Sequence, residues 1–142
     1  MVNNVRTLNF KPITSEQGCL IPLEVNQDIP FDVNRVYYIY NVPQNERRGF
    51  HSHKDLEQVL VCMSGEVSVL VEDGLGSQVI KLSNPSDALY IGPMVWREMF
   101  DFSENSVLVV FASRHYDASD YEHDYERFKL ESAEYFSNKK GK

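Results

Sequence analysis

Much of the chain is built from short runs in which apolar and polar residues alternate with period two, as in strands with one buried face. Arg35-Val-Tyr-Tyr-Ile-Tyr40 is one such run, closed by Asn41 and Pro43. Gln58-Val-Leu-Val-Cys-Met63 is a second, closed by Ser64-Gly65. Glu66 to Glu72 then leads into Asp73-Gly74, a dipeptide suited to a tight hairpin turn. Gln78–Leu82, Ala88–Ile91 and Val107–Ala112 continue the series. Strands recurring about every 8–12 residues with turn punctuation predict a sandwich or barrel rather than βαβ units. After His115 the period lengthens. Ser119-Asp-Tyr-Glu122 fits a capping box, and Tyr121, Tyr125 and Phe128 fall at i, i+4 and i+7. This predicts a helix to about Phe136. The five acids between Asp117 and Glu126 complement its N-terminal dipole and read as a solvated structural feature. The expected architecture is an all-β barrel with one short C-terminal helix.

Composition narrows the function classes. A length of 142 residues suits a single domain spanning 1–142, with a core of about 9–130 and a frayed tail at 137–142. Fourteen Lys plus Arg against 21 Asp plus Glu give a net charge of −7. That argues against nucleic acid or an anionic membrane as partner, since both select a basic surface. No apolar run is long enough to span a bilayer, and the N-terminal MVNNVRTLNF carries no signal-like core. A cytoplasmic location is expected, with Cys19 and Cys62 as buried free thiols.

Candidate chemistry concentrates in Gly49-Phe-His51-Ser-His53-Lys-Asp-Leu-Glu57-Gln58, which holds two of the four histidines. On a strand, His51 and His53 project to the same face, roughly 6.6–7 Å apart along it. Such a pair suits metal binding, and a cupin metal site adds a carboxylate after this motif and a later histidine. The position spaced correctly from Gly65 is Gln58, an uncharged amide. Near the later position stands Arg97, a fixed cation that repels a divalent ion. The set is therefore read as holding no metal and needing no cofactor.

Without metal, the pair suits proton transfer near neutral pH, next to a carbonyl that passes through an enediol. Tyr37 or Tyr38, whichever faces inward, supplies a phenol for the developing oxyanion. Arg35, Arg47, Arg48 and Lys54 against Glu46 give this stretch a local positive excess. Arg48 is the natural diphosphate ligand, and Trp96, Phe100 and Phe102 offer stacking surface.

RVYYIY, RGFHSHKDLEQVLVC, LYIGPMVWREMFDF and ASRHYDASDYEHDYERF together resemble the bacterial sugar 3,4-ketoisomerases of the WxcM-like cupin family, over Asn9 to about Lys129. The resemblance implies a cupin (jelly-roll) barrel without metal, and a homodimer that exchanges N-terminal strands. It implies a dTDP-sugar substrate, dTDP-4-keto-6-deoxy-D-glucose, whose carbonyl moves from carbon 4 to carbon 3. By the same resemblance His51 is the catalytic base, His53 its relay partner, and Tyr37 the tyrosine near the sugar. Gln17, Arg48, Lys54, Gln58, Trp96 and Arg97 are the expected substrate-binding residues. Arg97 after Trp96 resembles the branch giving a gluco product, used for 3-amino-3,6-dideoxyglucose, where the galacto branch has His. Gln17 departs from both branches, which carry Tyr (gluco) or Arg (galacto) there. A galacto-product isomerase, a dTDP-sugar epimerase sharing the barrel, a metal cupin, and a non-catalytic sugar-nucleotide-binding cupin are the rival readings.

Overall fold

A computed structural model describes residues 2–140. Among them, two five-stranded antiparallel sheets face each other. One sheet has the order β1 (Val5–Asn9), β9 (Asp87–Ile91), β6 (Gln58–Ser64), β11 (Val107–Ala112), β4 (Arg35–Tyr40). The other has the order β12 (Tyr121–Glu122), β5 (Arg48–His53), β10 (Trp96–Phe100), β7 (Val67–Glu72), β8 (Ser77–Leu82). A separate hairpin joins β2 (Ile13–Ser15) to β3 (Gly18–Leu20). One helix, α1 (Tyr125–Lys140), follows, so the architecture is the expected cupin-like β-fold with a C-terminal helix. None of the described helices is long and apolar enough to cross a membrane.

The main core lies between the sheets. Leu60 and Cys62 of β6, Val67, Val69 and Val71 of β7, and Leu108 and Val110 of β11 meet there. Each such side chain contributes on the order of 1.5–3 kcal/mol by leaving water. Strand β6 is buried on both faces. Its outward Val59 and Val61 are covered by Phe10, Ile29 and Phe31 from the N-terminal segment, which explains why it reads as an apolar run. Strand β4 keeps the alternation: Arg35, Tyr37 and Ile39 are half-buried, whereas Val36, Tyr38 and Tyr40 are exposed. Between β7 and β8, Asp73 Oδ1 accepts from the Leu75 and Gly76 amides, each at 2.8 Å, which closes the expected hairpin.

The helix begins later than the sequence suggests. Asp117 Oδ1 accepts from the Ser119 amide at 3.0 Å and caps a single 3₁₀ turn, Ala118–Asp120. Tyr121 and Glu122 then pair with His53 and Ser52 as β12. The start of α1 is capped by Asp124, whose Oδ1 accepts from the Arg127 amide at 3.1 Å. A long-range ladder partner thus overrides the local helical pattern. The helix also runs on to Lys140, beyond the frayed tail expected from residue 137, while 141 and 142 lie outside the described residues. Cys62 is buried as expected, but Cys19 is exposed, because it sits in a hairpin whose six strand residues all face solvent.

Candidate active site

Strand β5 carries the histidine motif, and its pairing with β10 is irregular. Arg97 lies opposite His51, Glu98 opposite Gly49 and Met99 opposite Arg48, so Phe50 is an extra, unpaired residue. This is a β-bulge. Gly49 and Phe50 both take positive φ, +101° and +58°. A Cβ on Gly49 would lie 2.8 Å from the Arg97 carbonyl oxygen, so the close strand approach admits glycine there. The extra residue changes the facing pattern. Arg48 and His51, three apart, line the same cavity, which strict alternation forbids.

That cavity, of about 310 Å³, is lined by Arg35, Tyr37, Ile39, Arg48, Gly49, His51, Met99 and Tyr121. His53, Gln58 and Arg97 are buried behind it. The His51 and His53 rings meet edge to face, with centroids 4.9 Å apart. His51 Nδ1 lies 3.0 Å from the Gly49 carbonyl oxygen. A carbonyl only accepts, so Nδ1 carries the proton and Nε2 is left as a lone-pair base. Arg97 donates to Gln58 Oε1 and, at 3.1 Å, to the Val95 carbonyl. Gln58 Nε2 in turn donates to the Tyr37 hydroxyl oxygen at 3.0 Å. With its oxygen already accepting, Tyr37 has its own O–H free to donate into the cavity.

Burial and then the Arg97 charge push the His51 pKa down to about 3, against the bond to the Gly49 carbonyl. The same two causes, followed by His51, push His53 well below its ordinary value. Both rings are therefore neutral at physiological pH. Burial raises the Tyr37 pKa, keeping the phenol protonated. Burial lowers Arg97 to about 10, which still leaves a cation at pH 7. A guanidinium placed among the histidines opposes a divalent ion, and no cluster of three or more His, Cys, Asp or Glu converges among the described residues.

Three further candidates lie elsewhere. Trp96 points away from the cavity, packing on Tyr125 and Phe128 at 5.2 and 5.5 Å between ring centroids. Because neighbouring strand residues face opposite ways, Arg97 turned inward forces Trp96 outward. Lys54 is exposed past the end of β5 and does not line the cavity. Gln17 sits at the exposed tip of the β2–β3 hairpin, where its backbone N–H donates to Ser15 Oγ at 3.1 Å. Of the stacking candidates, Phe102 is in the core, and Phe100 lies beneath the Arg47 guanidinium at 4.1 Å. Arg47 itself is spent outside the cavity on Glu98, at 2.7 Å.

Asp120 and Tyr121, which the sequence pattern assigns to a helix start, enter the site instead. Asp120 Oδ2 lies 3.1 Å from His53 Nδ1, and the Tyr121 ring lies 4.9 Å from that of His51. By its sequence context Asp120 reads as one of the solvated acids of a helix start. Only the pairing of β12 with β5 gives it another role.

Comparison with known proteins places the chain in a family. The family profile described as WxcM-like, C-terminal (FdtA) matches residues 3–133. The chain belongs to the WxcM-like family. Its WxcM-like relatives include a TDP-4-oxo-6-deoxy-alpha-D-glucose-3,4-oxoisomerase of Aneurinibacillus thermoaerophilus, 46% identical over 96% of this chain and 98% of the relative. Among solved structures, the sugar 3,4-ketoisomerase QdtA of Thermoanaerobacterium thermosaccharolyticum, in complex with TDP, superposes with a TM-score of 0.93. It is 47% identical over 96% of this chain and 99% of its own. The WlaRB TDP-quinovose 3,4-ketoisomerase of Campylobacter jejuni is 43% identical over 91% of this chain and 99% of its own, with a TM-score of 0.88.

Proposed function

We propose that this isomerase moves the carbonyl of dTDP-4-keto-6-deoxy-D-glucose from carbon 4 to carbon 3. The observation that carries this reading is the convergence of His51, Tyr37 and Arg48 on one cavity. A neutral base, a free phenol donor and an anion-binding guanidinium are the groups that this chemistry requires. Arg48 holds the diphosphate. His51 Nε2 removes the carbon 3 proton, and Tyr37 donates a hydrogen bond to the oxygen of the enediolate that forms. His53 lies beside His51 as its relay partner. The carbon 4 oxygen takes up a proton as the carbon 3 hydroxyl gives one up, so protonation at carbon 4 leaves a hydroxyl there and the ketone at carbon 3.

The favoured product has the gluco configuration. In a gluco hexose the hydrogens at carbons 3 and 4 lie on opposite faces of the ring. The proton must then arrive from the face opposite to its departure, which excludes direct return by the same nitrogen. Arg97 behind the site, in place of a titratable imidazole, favours this outcome. Sequence proximity points the same way: identity is 43% to the TDP-quinovose enzyme and 32% to the TDP-fucose enzyme WlaRA. The working state is a cytoplasmic homodimer that exchanges N-terminal strands. Exposed Ile13 and Leu20 on the hairpin, and exposed Val36, Tyr38 and Tyr40 on β4, support it. Such an exchange offers a route by which Gln17 reaches a partner's cavity.

The test is incubation with dTDP-4-keto-6-deoxyglucose in D₂O, with NMR of the product and coupling to a 3-aminotransferase. The expected result is a 3-keto-6-deoxyglucose carrying solvent deuterium at carbon 4. A ketone that stays at carbon 4 while carbons 3 or 5 exchange would indicate an epimerase instead. Full activity in His51→Ala would overturn the assignment of the base.

A further inference from the structure

We propose that Asp120 is a positioning residue for this reaction, fixing His53 in the tautomer that leaves its Nε2 an unpaired acceptor on a ring packed against that of His51. The inference rests on the histidine-mediated reading above. Asp120 Oδ2 lies 3.1 Å from His53 Nδ1, while Oδ1 accepts from the Asp55 amide at 2.9 Å. The Asp120 carbonyl also accepts from the Lys54 amide at 3.0 Å. The carboxylate is thereby anchored to the backbone just beyond β5, and its side chain is only 12% exposed. An ionised carboxylate has acceptors and no donor, so the proton between the two groups belongs to the imidazole. His53 therefore carries it on Nδ1.

The other nitrogen is the informative one. His53 is fully buried, yet its Nε2 has no hydrogen-bond partner in the protein. A buried polar atom without a partner costs stability and calls for an explanation. Here the ring is held between His51 and Tyr121, with centroids 4.9 and 4.3 Å away, and its unpaired atom is a proton acceptor. A proton accepted at Nε2 turns His53 into an imidazolium, and Asp120 is the anion placed to stabilise it from the Nδ1 side. The groups opposing that charge are Arg97 on β10, His51 on β5, Arg35 on β4 and His123 just after β12. Strand β12 is only two residues long, and its pairing places Asp120, the residue before it, against His53.

The experiment compares wild type, Asp120→Asn, Asp120→Glu and His53→Gln, all as full-length protein with ¹⁵N-labelled histidine. Long-range ¹H–¹⁵N spectra read the tautomer, with His53→Gln assigning the signal, while steady-state kinetics separate kcat from KM. Wild-type His53 should show the Nδ1–H pattern. Asp120→Asn should lose that pattern, because its amide donates to Nδ1, and kcat should fall on the order of 10²–10⁴-fold with KM nearly unchanged. Asp120→Glu, which keeps an acceptor, should recover part of that loss. An Nε2–H tautomer in wild type overturns the proposal. So does an Asp120→Asn enzyme whose tautomer changes while kcat holds. If the tautomer is as stated but His53→Gln turns over normally, the catalytic reading of His53 falls, and with it the reason for positioning the ring.

Discussion

Replacing Gly49 by alanine tests the bulge that shapes the cavity. The backbone there sits at φ +101°, and the new Cβ would meet the Arg97 carbonyl oxygen at 2.8 Å and Glu98 Cα at 3.1 Å. Both obstacles are backbone, so no side-chain rotation relieves them. Positive φ costs an L-residue roughly 1–2 kcal/mol. Forcing an extra carbon into a packed site costs about 1–3 kcal/mol more. The sum, roughly 2–5 kcal/mol, corresponds to a fall in Tm on the order of 10 °C for a chain of this size. Gly18→Ala is the matched control: its φ is +114°, but nothing lies within 4 Å of the added carbon. It should show only the conformational part, a loss of a few degrees. Thermal unfolding of the two variants by circular dichroism decides the matter. If Gly49→Ala melts together with Gly18→Ala, the steric part of the reasoning is wrong. Activity below the melting range should also fall, on the order of 10²-fold, because His51 and Arg48 are carried by the displaced strand.

Three other outcomes follow from the site. The His51 pKa in the folded protein is near 3 and that of His53 is also depressed, so between about pH 6.5 and 3 the unfolded chain binds more protons. Stability is then complete above pH 6.5 and declines on acidification, approaching about 1.4 kcal/mol per pH unit per histidine; urea titrations from pH 8 to 5 should show this slope, and a His51→Asn/His53→Gln double variant should flatten it. Trp96→Ala should cost about 3–5 kcal/mol by emptying the space between sheet and helix. The KM of its folded fraction should be unchanged, whereas a large KM increase would return Trp96 to the substrate site. Arg48→Ala should raise KM by ten-fold or more with a smaller change in kcat in steady-state kinetics, and should weaken the salt dependence of TDP binding measured by isothermal titration.

The strands with clean alternation, β4, β7, β8 and β11, were legible because one buried face suffices to write their pattern, whereas β6 and β9 were legible as short apolar runs bounded by turn residues. So was the inward pair of His51 and His53. The parity argument that separates Tyr37 from Tyr38 also separates Arg97 from Trp96, and it could have removed Trp96 from the binding set. The bulge at Phe50 was not legible: Gly49 was visible, but nothing local states that one residue goes unpaired. Nor was β12. Tyr121 and Glu122 fit a helical pattern as well as a strand, and only their distant partners in β5 decide between them. Asp120 was missed for the same reason, since its neighbour His53 is 67 positions away.

The Arg97–Gln58 contact has an evolutionary corollary. Metal-holding cupins place a carboxylate and an imidazole where this chain has an amide and a guanidinium. Reverting Gln58 alone to glutamate would set a buried anion against Arg97 and tie up the new ligand in an ion pair. Reverting Arg97 alone to histidine would leave an uncharged amide facing it and strip Gln58 of its donor. Neither single change supplies both missing ligands, so turning this barrel into a metal binder takes the two substitutions together.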